Sequence, residues 1–173
     1  MTDAHDRDLA LLVAERAISR VILEYARAVD RYDFDALSAC YWPDGSDDHG
    51  SFRGSAPDFV EWNKAALARF DITNHFLGNI LIDVDLDADR ARAETYAVAY
   101  HRYTSAEGQL TDMTAGLRYV DVFERRDGEW RILERVIAYS WRRTDPAVGQ
   151  SGFADSYVQG VRGLDDIVYT IGR

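Results

Sequence analysis

Near neutral pH, proton transfer is best served by histidine held against a carboxylate, and this chain carries four histidines and thirty acidic residues. His75 opens a stretch rich in β-branched residues, and Asp30 closes an amphipathic one. A carboxylate bonded to one ring nitrogen fixes the tautomer and raises the basicity of the other, so Asp30 and His75 could form a proton acceptor. Asp30 lies where a helix dipole turns negative, a placement that costs about 0.3–1 kcal/mol unless a cation or a histidine that becomes cationic sits nearby. From the residues alone, a solvent-facing Asp30 and a hydrogen-bonded structural His75 remain the alternative.

Other groups carry weaker signals. Asp47-Asp48-His49 offers metal-binding types, but adjacent residues rarely face one ion, and a solvated turn or sheet edge explains them; no metal site is assigned. Arg118 and Arg135 could face an oxyanion, yet salt bridges on an outer or subunit-facing surface account for both. Tyr32, Trp42, Phe52, Trp62, Tyr96 and Tyr119 are core candidates that could also line an apolar pocket for a ring-containing ligand. Glycine-rich phosphate motifs, a dinucleotide fingerprint and a G-x-S-x-G nucleophile are absent from the sequence.

These residues need elements to place them. The 173 residues, 47% hydrophobic and 29% charged, suit one domain. A net charge of −10 argues against nucleic acid and anionic membrane as partners. The single cysteine, Cys40, reads as a small core residue in a reducing compartment, and the start of the chain lacks a secretory pattern, so the expected location is cytoplasmic.

Ile18, Val21, Ile22, Tyr25, Ala26 and Val29 form the apolar stripe of a long first helix expected over about 9–29. Asp33 caps a short second helix, stopped by Pro43-Asp44-Gly45. Ser55-Ala56-Pro57-Asp58 starts a third, running to about Phe70 with Phe59, Trp62 and Ala66 inward. Residues 46–53 leave room for a short strand or strand pair.

Four long strands follow, over Thr73–Leu86, Arg90–Tyr103, Met113–Arg126 and Glu129–Arg142. Turn chemistry joins them as an antiparallel meander, and helices followed by sheet mean α+β. Strict alternation along the first of these strands puts His75, Leu77, Asn79, Leu81 and Asp83 on one face, with Phe76, Gly78, Ile80, Ile82 and Val84 on the other. Neither face looks solvated, which predicts a homo-oligomer, dimer or trimer. Residues 144–173 read as a tail that docks on the 1–143 domain or on a neighbouring subunit.

The segments Tyr25-Ala26-Arg27-Ala28-Val29-Asp30, Asp47 to Gly54 and Thr73-Asn74-His75-Phe76-Leu77-Gly78-Asn79, with the four-strand ending, resemble the SnoaL-like branch of the nuclear-transport-factor-2-like superfamily over about residues 8–142. The resemblance implies a cone: a strongly bent antiparallel sheet around three helices, with a cavity at the wide end. It is closer to cofactor-independent lyases such as scytalone dehydratase, bile-acid 7α-dehydratase and hexachlorocyclohexane dehydrochlorinase.

In those enzymes a His–Asp pair removes a proton, and the pattern maps onto His75 and Asp30. Tyr25 resembles the pocket tyrosine of the bile-acid dehydratases, and His101 falls on a later strand where scytalone dehydratase has an active-site histidine. Asn79 closes the matching segment and joins the pocket candidates. The resemblance implies no cofactor and a small, largely apolar cyclic substrate for a dehydratase, isomerase or cyclase. The alternative is a noncatalytic ligand-binding protein or a structural small subunit, like the β-subunits of ring-hydroxylating dioxygenases, which share the cone.

Overall fold

The computed structural model describes residues 2–147 and 152–172. The expected α+β architecture is present: three helices fill the concave side of a six-stranded sheet. The first helix, α1 (Thr2–Arg31), starts earlier than its apolar stripe and includes His5. It buries Ala14, Ile18, Ile22, Tyr25, Ala26 and Val29, positions that recur every three or four residues on one face. Tyr32 ends it at φ 61°, and Asp33 accepts the Ala36 N–H at 3.0 Å to start α2 (Phe34–Ala39).

Pro43-Asp44-Gly45 does not mark a loop between α2 and a later strand. It lies inside β1 (Tyr41–Asp48), a strand that pairs in parallel with the last strand of the chain. The register slips between Tyr41 and Ser46, so the proline falls where the ladder is interrupted. Gly45 is required there, because a Cβ would sit 2.9 Å from the carbonyl oxygens of Leu133 and Trp42. After β2 (Arg53–Ser55), Ser55 caps α3 (Ala56–Leu67), with Pro57 in its first turn.

The antiparallel meander comprises β3 (Ile72–Asp85), β4 (Arg90–Thr104), β5 (Leu110–Arg126) and β6 (Glu129–Pro146). Asp89, Asp127 and Gly128 supply the positive φ angles of the tight turns. The sheet order is β2-β1-β6-β5-β4-β3, so β1 and β3 lie on opposite sides of the three central strands.

Strict alternation fails in β3. The pairing with β4 jumps between Leu77 and Ile80, and this bulge reverses which parity faces inward. His75 and Leu77 turn inward before it, and Ile80, Ile82 and Val84 after it, while Phe76 and Leu81 are exposed. Asn79, at the bulge, is exposed and does not share the inward face of His75.

The core is aromatic at its centre. Tyr25 meets Tyr41 and Tyr119 edge-on, with centroids 6.1 and 5.5 Å apart. Between these rings sits Arg135, fully buried, its guanidinium 4.0 Å from the Tyr25 centroid and 4.3 Å from that of Tyr119. Asp121 holds it through two bonds of 2.7 Å. Arg135 is therefore an internal cation and not part of an outer surface, whereas Arg118 pairs with Glu94 in a part-exposed position. Cys40 is buried.

The far end of the chain lies against the C-terminus of α1. Gly163 N–H donates to the Arg31 carbonyl at 2.8 Å, Arg162 donates to the carbonyls of Leu67 and Phe70, and Tyr169 reaches Asp33 at 3.3 Å. Asp166 is buried, accepts the Val161 and Val168 N–H groups and lies 3.5 Å from Arg31. Gly149 lies outside the described residues.

Candidate active site

A chamber of about 530 Å³ opens between the helices and the sheet, within the usual range for a small-molecule site. Val29, Ala66, Leu67, Ala99, Ala115 and Leu117 give it apolar walls. The inward alanines of β4 and β5 leave space that larger side chains would fill.

His75 lines this chamber and Asp30 stands behind it. The Asp30 carboxylate makes two contacts of 2.8 Å, one from Oδ2 to the His75 backbone N–H and one from Oδ1 to the ring Nδ1. Burial pushes the Asp30 carboxyl upward, but the bonds from the His75 ring and backbone outweigh that and leave it below its ordinary value. An ionised Asp30 therefore takes Nδ1–H, and Nε2 is the nitrogen left for the chamber.

Tyr25 and His101 line the same space. Burial raises the Tyr25 phenol well above its usual range, opposed by Arg135, so it stays a hydrogen-bond donor. His101 stands edge-on to His75, centroids 5.4 Å apart, and packs on Phe70 at 4.5 Å. Burial, reinforced by His75, drives its pKa down to about 3. A neutral His101 does not compete for the proton that His75 would gain.

Of the aromatic candidates, Trp62 and Tyr119 line the chamber. Phe52 packs behind the wall against Trp62 and Phe59, with centroids 5.4 and 5.9 Å away. Trp42 belongs elsewhere: its ring lies between Arg126 and Arg131, and Nε1 donates to the Glu124 carbonyl. Tyr96 is half exposed on the convex face near Arg118, and Tyr32 lies under Arg162. Asn79 and Tyr96 are thus not brought to the chamber, the first because of the bulge and the second because its strand parity points outward.

Of three further polar groups, the sequence did not single out Asn63, and it suggested the surface for His49 and Arg135. His49 is not in a solvated turn: it lines the chamber just past β1, stacked on Phe59 at 5.1 Å. Its Nδ1 lies 3.0 Å from the buried Asp47, which also accepts the Tyr41 hydroxyl at 2.6 Å. Asn63 on α3 is buried against the chamber, and its Oδ1 has no hydrogen-bond partner among the described residues. Arg135 underlies Tyr25 and Tyr119. The inward alternation of Tyr41, Gly45, Asp47 and His49 was a signal, masked by Pro43 and Gly45.

Fold and site together place the chain in a defined class. The profile of the SnoaL-like domain matches residues 10–136, and the chain belongs to that family. An uncharacterized protein of Mycobacterium tuberculosis is 30% identical over 122 residues, covering 69% of this chain and 80% of the relative.

Among solved structures, a candidate scytalone dehydratase from Novosphingobium aromaticivorans superposes with a TM-score of 0.67 at 23% identity, covering 100% of this chain and 99% of the other. A type 3 hexachlorocyclohexane dehydrochlorinase from Novosphingobium barchaimii gives 0.68 at 20%, covering 85% and 99%. These likenesses establish the nuclear-transport-factor-2-like cone. No helix among the described residues is long and apolar enough to cross a membrane.

Proposed function

We propose that the chain is a cofactor-independent acid–base enzyme, a dehydratase before an isomerase or cyclase, acting on a small, largely apolar cyclic substrate. The supporting observation is the 2.8 Å contact between Asp30 and His75 Nδ1, with the ring at the wall of an apolar chamber. His75 Nε2 takes a proton from a C–H bond acidified by a neighbouring carbonyl. Asp30 holds the tautomer and offsets the charge of the imidazolium that forms. Tyr25, kept protonated, donates to the carbonyl oxygen as negative charge builds there. A positioned base supplies about 10²–10⁴ in rate, so orientation by the walls and the Tyr25 bond carry the remainder.

The same reading includes a homo-oligomer, dimer or trimer, supported by Phe76, Leu81, Tyr96, Val98, Val120 and Val136 exposed on the sheet. The test of activity is turnover of cyclic β-hydroxy ketones by native protein, Asp30→Asn and His75→Ala. Loss of turnover with folding and ligand binding retained is expected; unchanged turnover in both variants refutes the assignment.

A further inference from the structure

His49 belongs to a second histidine–carboxylate pair in the same chamber. Its Nδ1 faces Asp47 at 3.0 Å, as that of His75 faces Asp30 at 2.8 Å. The two histidines reach the chamber from the end of β1 and from β3, with β6, β5 and β4 between those strands in the curved sheet. They therefore approach its contents from different sides. His49 is held by Phe59 and Trp62 on α3, and its backbone carbonyl accepts the Tyr139 hydroxyl at 3.5 Å. Beside Trp62, the buried Asn63 lines the chamber with its Oδ1 unpaired among the described residues. A buried amide oxygen without a partner carries a desolvation penalty, which is removed when a ligand donates to it.

We infer that His49 is the general acid of the chamber and that Asn63 helps bind the oxygen that leaves. This deepens the proposed elimination and rests on it. His49 acts as an imidazolium: Nδ1–H bonds to Asp47, and Nε2–H points to the leaving hydroxyl, whose own proton is accepted by Asn63 Oδ1. His75 Nε2 removes the proton from carbon, and the C–H electron pair becomes the new π bond. The C–O bond breaks with its electrons going to oxygen. That oxygen takes the His49 proton and departs as water. Exchange with solvent returns a proton to His49 and removes one from His75. Hydroxide is a poor leaving group, so two histidines with separate carboxylates perform what one base cannot do at both ends of the eliminated fragment.

The experiment compares a cyclic β-hydroxy ketone with the β-acetoxy ketone of the same skeleton, since acetate leaves without protonation. His49→Gln is expected to lose on the order of 10²-fold or more in kcat on the hydroxy substrate and to stay within about threefold on the acetoxy one. His75→Ala loses activity on both. Equal losses for both substrates in His49→Gln, or none, overturn the inference. His49→Phe keeps the stack on Phe59 and replaces the glutamine variant if that one does not fold. A readout without turnover is the ¹⁵N imidazole spectrum during titration with a saturated cyclic alcohol, against the hydrocarbon of the same ring. A His49 shift with the alcohol alone is expected, and the absence of any His49 response overturns the inference. If His75→Ala leaves turnover unchanged, the base assignment fails while the His49 spectrum still decides its own question.

Discussion

Replacing Asp30 with asparagine separates charge from shape at the site. The amide is isosteric, but one of its two ends is a donor. Asp30 accepts twice, from the His75 backbone N–H and from Nδ1, at 2.8 Å each. The backbone N–H cannot lose its proton, so it claims the amide oxygen. The NH₂ then faces Nδ1, which must become an acceptor, and the ring proton moves to Nε2. The nitrogen left for the chamber would then be protonated before any substrate arrived. In the serine-protease triad the equivalent change costs about 10⁴ in kcat through the same tautomer error. We expect a loss of about 10³–10⁴-fold here, equivalent to about 4–5.5 kcal/mol at the transition state, with KM little changed. Steady-state kinetics measure the loss, and ¹⁵N shifts of His75 report the tautomer directly. Because the folded Asp30 carboxyl lies below its ordinary value of 3.8, its stabilisation is present above that pH and is lost as the pH falls through the lowered folded value. The asparagine variant should lack that acid-dependent component. Turnover within tenfold of native, or an Nδ1–H tautomer persisting in an inactive variant, would refute the reasoning.

His101 titrates near 6.5 when unfolded and near 3 in the fold, so stability is lost as pH falls from 6.5 toward 3. Urea unfolding should show native protein losing about 2 kcal/mol between pH 7 and pH 5 that His101→Gln does not lose. Breaking the buried Arg135–Asp121 pair with Asp121→Ala should cost about 3–5 kcal/mol, whereas the double change Arg135→Met with Asp121→Leu should recover most of it, measured by denaturant midpoint. Gly45→Ala drives a methyl into two backbone carbonyls and should cost about 1–3 kcal/mol. Gly116→Ala first meets the half-exposed indole of Trp141, a side chain and not backbone, so a shift in tryptophan fluorescence with a smaller stability loss is expected.

The helices and the meander were legible because their signals are local. Asp33 and Ser55 cap helices by side chain–backbone bonds confined to one turn, and the tight turns of the meander use residues whose types tolerate positive φ. β1 was illegible for the opposite reason. Pro43 and Gly45 carry turn chemistry, and what holds them in a strand is parallel pairing with β6, about ninety residues away. Nothing near Tyr41 announces that partner. The charge of Arg135 likewise suggested an outer surface, since only the folded core reveals the Asp121 carboxylate and the two tyrosine rings that hold it.

The candidate site was partly readable for the same physical reasons. Asp30 and His75 stood out by type and by position at element ends, and both precede the β3 bulge, so their placement did not depend on it. Asn79 did depend on it: one extra residue at Gly78-Asn79 moved the inward face from odd to even positions, and a parity argument carried through that point names the wrong residues. His49 was hidden twice, by a strand disguised as a turn and by an acidic neighbour, Asp48, that does pair outward with Arg53. Asp47, one residue earlier, turns inward and is buried with Tyr41 and His49. A single step in strand parity thus divides a surface ion pair from a chamber histidine, and alternation can assign those roles only once β6 has defined which side of β1 is inside.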